Sequence, residues 1–351
     1  METLEIRQPD NWHAHLREDQ ILMEVAPCFN PYGRVLCMGN TSPLIETAED
    51  ARCYRAEILA QGVLFKPVMT IMLTENTTPA IIIAAAEAGI KFVKFIPRST
   101  SVGAVKGLRL DDFDRLSKIF PIIQETGLHL LIHAELISFP DGRLIHPLKR
   151  EEEAVRLIAS FHMVFPNMKI TIEHASTAAM INFIEFQDSP NLRATLTPHH
   201  ALLTYEDAFD ENDRLINPAN YCLPVLKREK DRQTVIRAMM SGDERFFAGA
   251  DSAPHLTAKK KGDNPPPGIF FGPAEIPLWA QIFEQAGQLG RLEDFTSRFG
   301  AEYYGFPLNP SKLVLMRKEW ELPEEDKNGI CFGWLNEKVR WRVMSKTIGE
   351  E

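Results

Sequence analysis

Eight short apolar runs, most of them closing on a polar residue, alternate along this chain with longer amphipathic stretches, and no other feature restricts its fold so strongly. The runs fall at about 11–16 (NWHAHL), 34–40 (RVLCMGN), 64–73, 91–96, 128–134, 169–174, 194–198 and 245–251. Helical periodicity occupies the intervals 47–60, 78–88, 111–126, 151–164, 176–187 and 229–241. Strand followed by helix, repeated, lays the strands parallel with the helices outside, and eight such units close a sheet into a barrel. The expected class is therefore α/β, a (β/α)8 barrel. A doubly wound open sheet would want a glycine-rich phosphate turn after an early strand. Here the turn after the second run reads Asn40-Thr41-Ser42-Pro43.

Beyond residue 255 the pattern changes. A loop, LTAKKKGDNPPPGIFFG, leads to helical stretches at 274–286 and about 291–299. Its lysines 259–261 and prolines 265–267 are expected to form a solvated, stiffened surface loop. From about 308 to 351 the chain reads as short strands appended to the barrel, with Trp320, Trp334 and Trp341 anchoring them by burial. No internal repeat or composition break divides residues 1–351, so one domain is expected.

Composition excludes some partners. The 48 acidic and 39 basic residues leave a net charge of −9, which disfavours a nucleic-acid backbone or an anionic membrane. No apolar stretch is long enough to span a bilayer, and the start METLEIRQPDNW lacks a basic segment followed by an apolar run. Five scattered cysteines without a C-x-x-C pair read as reduced thiols, so the expected location is the cytoplasm.

Polar residues collect where a barrel enzyme keeps its chemistry, at the C-terminal ends of the strands. His13 and His15 leave the same face of the first run, Asn40 ends the second, and Lys94 lies late in the fourth. His133, His174 and Asp251 close the fifth, sixth and eighth. Several imidazoles meeting at one barrel mouth are costly unless a cation satisfies them. Glu173 is expected to face the other side of its strand, toward a helix. His129, His146 and His162 are read as structural, on outward faces, loops or helices. Lys94, set among apolar neighbours in FVKFIP, is read either as a buried ion pair with Asp251 or as a neutral amine that has taken up carbon dioxide.

The motifs NWHAHLR, GNTSP, KFIP, LIHAE, EHAST, YCLPVLKR and ADSAPH, in this order, resemble those of the type II bacterial dihydroorotases of the amidohydrolase superfamily, from residue 4 to about 345. The resemblance implies a binuclear zinc centre. His13 and His15 would hold the more buried ion and His133 and His174 the other, with carboxylated Lys94 (N6-carboxylysine) bridging them and Asp251 ligating the buried ion. It also implies a bridging hydroxide as nucleophile, Asp251 as general base and then acid, and reversible cyclisation of N-carbamoyl-L-aspartate to dihydroorotate in pyrimidine synthesis. Carbamate, Asp251 and hydroxide offset three of the four positive charges of two zinc ions, leaving roughly +1 toward an anionic substrate.

Substrate contacts are expected from His15, Arg17, Asn40, His255, backbone groups of Leu223 and the segment at Pro267. Arg17, two residues beyond His15 and read on the same strand face, offers a planar pair of donors to a carboxylate. Two departures from the family stand out. The loop that carries adjacent threonines in relatives reads Arg98-Ser99-Thr100-Ser101-Val102-Gly103, so Thr100 and Ser101 are the candidates there. Pro267 occupies a place where relatives have a small residue, and proline has no N–H to donate, so its carbonyl or Gly268 must serve. A homodimer is expected from the resemblance. The competing readings are a hydantoinase- or allantoinase-like cyclic amidase, whose substrate lacks a carboxylate for Arg17, and a non-catalytic scaffold on a decayed barrel.

Overall fold

The computed structural model describes residues 2–100 and 104–347. Its strands are β1 (Thr3–Arg7), β2 (Asn11–Ala14), β3 (Arg34–Cys37), β4 (Lys66–Met72), β5 (Phe92–Phe95), β6 (His129–Ile132), β7 (Lys169–Ile172), β8 (Leu192–Leu196), β9 (Phe246–Ala248), β10 (Lys312–Trp320) and β11 (Val339–Thr347). Strands β2 to β9 pair in chain order, all parallel, with helices in the crossovers. This is the predicted barrel. Side chains satisfy the free N–H groups where its helices begin. Thr47 and Asp50 form a reciprocal capping box for Ala48–Ala60, and Thr177 caps Ala178–Gln187.

Closure between the first and last barrel strands depends on side chains as well as on backbone. Ala14 bridges Ser252, and the N–H groups of His15 and Asp251 donate to the carbonyls of Ser252 and His13 at 2.8 and 3.0 Å. The Asn11 carboxamide oxygen accepts from the N–H groups of His13 at 3.0 Å and Ala250 at 3.1 Å, standing in for missing ladder bonds. Glu275, at the start of the helix Glu275–Gln285, in turn accepts from the Asn11 amide at 2.8 Å.

The two faces of each strand separate cleanly. Val93, Phe95, Leu130, Ile132, Ile170 and Ile172 join the large core between sheet and helices. Trp12, Leu36, Phe92, Leu131, Phe247 and Tyr304 fill the N-terminal end of the barrel interior. Tyr304 packs edge-on to Trp12 and Phe92, with ring centroids at 4.9 and 4.8 Å, so this end is plugged. The opposite end is the one left open for a site.

The C-terminal strands were expected beside the barrel, but their partner was not. Strand β10 lies between β1 and β11 in a three-stranded antiparallel sheet, with Thr3 opposite Met316. The anchoring role holds for Trp341, which is buried, and in part for half-buried Trp320, whose indole N–H donates to the Trp341 carbonyl at 2.8 Å. It fails for Trp334, which is 50% exposed.

His129 is also placed differently from expectation. It begins β6 and points into the plugged end, its ring 5.0 Å from those of Tyr303 and Tyr304, so its role is structural but its face is inward. No helix among the described residues is long and apolar enough to cross a membrane.

Candidate active site

Strand alternation brings the polar set into one place. Phe92 and Lys94 on β5 face inward, as do Leu131 and then His133 beyond β6, and Phe247, Gly249 and then Asp251 beyond β9. The alternation alone does not suffice. Arg17, His174 and Asp251 have φ of 59, 44 and 51°, a left-handed backbone that non-glycine residues rarely adopt. In His174 this turn swings the ring inward immediately after Glu173.

The result is a cavity enclosing about 390 Å³, lined by His13, His15, Arg17, Asn40, Lys94, His133, His174, Leu223, Asp251, Pro267 and Gly268. His255 stands at its rim, 3.0 Å from both the Arg17 guanidinium and the Pro267 carbonyl. The six named ligands and His255, Arg17, Asn40, Leu223 and Pro267 are thus in or beside one cavity, whereas the loop candidate Thr100 is not among its lining residues. Ser101 lies outside the described residues. Thr100 is buried with its hydroxyl donating to the Pro97 carbonyl at 2.6 Å.

Two groups of donors face each other inside. Nε2 of His13 and of His15 lie 3.1 and 3.0 Å from one oxygen of Asp251 and 3.3 Å from each other. Nδ1 of His133 lies 3.1 Å from Nε2 of His174. The rings of His13 and His174, 5.3 Å apart, join the two groups. Burial opposes ionisation of Asp251, but His13 and His15 outweigh it and hold the group well below the usual carboxylate range, so it is an anion. Burial lowers His15 to about 4 and holds His174 well below the usual imidazole range, which makes both neutral ligands at neutral pH.

Outer carboxylates set the tautomers. Glu135 takes the Nε2–H of His133 at 2.8 Å, and Glu173 contacts Nδ1 of His13. A proton on each of those nitrogens makes the inner nitrogen the one offered to the cavity. For His133 that nitrogen faces another imidazole; for His13 it meets the Asp251 anion through a proton, whose place a cation would take. Convergent ring nitrogens and a carboxylate, braced from behind by carboxylates, suit a divalent cation and are unfavourable without one. Nδ1 of His15 and of His174 have no hydrogen-bond partner among the described residues.

The chain is 36% identical over 354 residues to the dihydroorotase of Vibrio campbellii, covering 98% of this chain and 100% of that one. The chain belongs to the dihydroorotase family. It is 37% identical over 333 residues to the mitochondrial dihydroorotase of Oryza sativa subsp. japonica, covering 92% of this chain and 79% of the relative. As a member of the dihydroorotase family it is an enzyme, a hydrolase of a cyclic amide. Among solved structures, the dihydroorotase of Saccharomyces cerevisiae in complex with 5-fluoroorotic acid matches with a TM-score of 0.90 and 29% identity, covering 98% of this chain and 99% of that one. The L-hydantoinase of Arthrobacter aurescens matches with a TM-score of 0.77 and 13% identity, which speaks for the fold alone. No family model matches the chain.

Four expectations need correction. Glu173 faces the barrel interior, behind His13 and Lys94, because inward Thr171 sets the alternation and His174 departs from it. Lys94 has Glu173 as its ion-pair partner, at 3.5 Å, in place of Asp251. Arg17 reaches the cavity through its left-handed turn and not through strand alternation, since β2 ends at Ala14. The lysine run 259–261 is not uniformly solvated: Lys260 is 2% exposed while Lys259 and Lys261 are exposed. Glu135 was missed although it lies two residues past His133, the spacing that lets a second side chain follow the first to one face.

A second group, His199, His200 and Cys222, brings three ligand atoms within 4.8 Å of one another. Both ring nitrogens of His200 are already engaged, with the Thr197 hydroxyl at 2.8 Å and the Pro224 carbonyl at 3.1 Å. That neutral, satisfied ring fits a structural role.

Proposed function

We propose that the cavity is a binuclear zinc site that hydrolyses dihydroorotate and, in the opposite sense, cyclises N-carbamoyl-L-aspartate. The observation that carries this reading is the bracing of His13 and His133 by Glu173 and Glu135, which turns their inner nitrogens toward Asp251 and His174. His13, His15 and Asp251 would hold one ion and His133 and His174 the other. Lys94 would serve both as N6-carboxylysine. Burial lowers the Lys94 amine against the pull of Glu173 and Asp251, and the neutral amine adds carbon dioxide at Nζ with loss of a proton.

When bound, the ions supply a Lewis acid for the ring carbonyl and bring water to a pKa of about 7. The residues of the chain do the rest. Asp251, held ionised, takes the proton of the attacking water and delivers it to the ring nitrogen as the amide opens. In the cyclising sense it removes that proton from the carbamoyl nitrogen. Arg17 is aimed by the bond from its Nε–H to the Pro254 carbonyl at 3.1 Å, leaving its outer N–H groups toward the cavity for the substrate carboxylate. His255, neutral because burial and Arg17 lower it to about 2, and Asn40 complete that end.

The Pro267 carbonyl is the group that segment offers, since the Gly268 N–H is engaged with the Tyr221 carbonyl at 2.8 Å. Leu223 would contribute backbone from the adjoining segment. A homodimer in the cytoplasm accompanies this reading, supported by the resemblance and by the five free cysteines.

Parallel assays with dihydroorotate and with hydantoin, a cyclic amide without a carboxylate, test the proposal on one preparation. Turnover of dihydroorotate with little or none of hydantoin is expected. Comparable kcat/KM for the two would point to a neutral ring as the substrate.

A further inference from the structure

Lys260 ends the short helix Thr257–Lys260, and its ammonium is turned away from solvent. No carboxylate among the described residues accepts from it. Its three N–H groups donate to three backbone carbonyls instead, those of Tyr221 at 3.0 Å, Pro266 at 3.1 Å and Gly268 at 2.8 Å. These carbonyls belong to two segments that are far apart in sequence and form adjoining parts of the cavity wall, one leading to Leu223 and the other containing Pro267.

The geometry around Pro267 gives this clamp a consequence. The carbonyls on either side of Pro267 point to Lys260, while that of Pro267 points the opposite way and meets His255 Nε2 at 3.0 Å. The Gly268 N–H donates to the same Tyr221 carbonyl that Lys260 holds, and Gly268 has φ of 144°, a conformation closed to other residues. A Cβ at Gly268 would also lie 2.6 Å from the Ala253 carbonyl oxygen. The peptide plane after Pro267 is therefore held from one side by a cation and kept free of side chain on the other.

We infer that Lys260 is a positioning residue for substrate binding: its ammonium gathers three carbonyls so that the Pro267 carbonyl and the Leu223 backbone face the ring of the substrate. This rests on the reading of the cavity as a dihydroorotate site. Lys260 touches none of the proposed metal ligands, so its contribution falls on binding and not on the reacting groups. An interaction of that kind is made equally in ground and transition states and raises KM when lost, with kcat unchanged. A neutral side chain of similar length leaves three buried carbonyls without donors, which frees the segment to turn.

The test compares wild type, Lys260→Met and Lys260→Arg in the zinc-loaded enzyme, measuring KM and kcat for dihydroorotate together with zinc content. Lys260→Met is expected to raise KM about tenfold, with kcat within about twofold and zinc unchanged. Lys260→Arg keeps the charge but spreads its N–H groups in a plane, so it is expected to raise KM at least about threefold. If Lys260→Met does not fold, Lys260→Arg carries the test alone. Wild-type KM in Lys260→Arg would assign the effect to long-range charge and overturn the inference. So would a fall in kcat as large as that in kcat/KM, or loss of zinc. Wild-type turnover of dihydroorotate, measured alongside, reports separately on the parent reading.

Discussion

Glu275 offers a quantitative test of how the barrel is closed behind the site. Its carboxylate accepts from the Asn11 amide at 2.8 Å and the Tyr32 hydroxyl at 2.5 Å, and it contacts the Ser252 hydroxyl beside Asp251. Burial raises its pKa from 4.5 to about 7 despite those hydrogen bonds. In the folded chain Glu275 therefore carries a proton up to about pH 7, whereas in the unfolded chain it loses that proton near pH 4.5. Between these values the folded state binds the extra proton, so stability falls as pH rises. Glu275 contributes fully below pH 4.5, and the contribution is lost as pH climbs through about 7. Each pH unit of the interval is worth about 1.4 kcal/mol, so the whole window sums to about 3 kcal/mol.

Glu275→Gln keeps the shape, stays neutral and can donate to Ser252. Urea unfolding of both proteins, metal-saturated, at pH 5 and pH 8 isolates the effect, because the other titrating groups cancel in the difference. The variant is expected to gain most of that ~3 kcal/mol on wild type between the two pH values. A difference independent of pH, or one that moves against the variant as pH rises, would refute the reasoning.

Arg17→Met removes the charge-assisted contact with the substrate carboxylate, worth about 1.5–3 kcal/mol in total, and is expected to raise KM for dihydroorotate by about tenfold to a hundredfold. Unchanged kinetics would place the carboxylate elsewhere. Glu135→Gln unbraces His133 and is expected to weaken zinc retention about tenfold to a hundredfold in a competition with chelator, while affinity equal to wild type contradicts the assigned tautomer. Gly300→Ala puts a methyl group against the Trp12 indole in the plugged end, so a loss of about 2–3 kcal/mol is expected, read as a lower Tm. An unchanged Tm would show that this end is loosely packed.

The barrel was legible because its signal is local. Each apolar run is a strand buried on both faces, and a polar residue at its C-terminal end has only the barrel mouth to occupy. Lys94, His133 and Asp251 are found by that rule. Glu173 was misassigned for a physical reason: alternation fails where His174 takes a left-handed φ, and nothing in the letters EHAST announces it. Arg17 reaches its place by a similar turn.

Lys260 was hidden by its neighbours, since a run of three lysines reads as solvated while its middle member is spent on backbone carbonyls, one of them from the distant Tyr221. The pairing of β1 with β10 joins residues separated by most of the chain, and no periodicity encodes which distant strand an isolated one will meet.

The central claim is that His13, His15, Lys94, His133, His174 and Asp251 act as one metal-binding unit. Elemental analysis of purified wild type and Lys94→Ala, with dihydroorotate turnover measured on the same samples, tests it most directly. Two zinc ions per chain and turnover in wild type are predicted, with metal depleted and activity lost in Lys94→Ala and partly restored by a short carboxylic acid. Full activity and metal in Lys94→Ala, or a metal-free wild type that still turns over dihydroorotate, would contradict it.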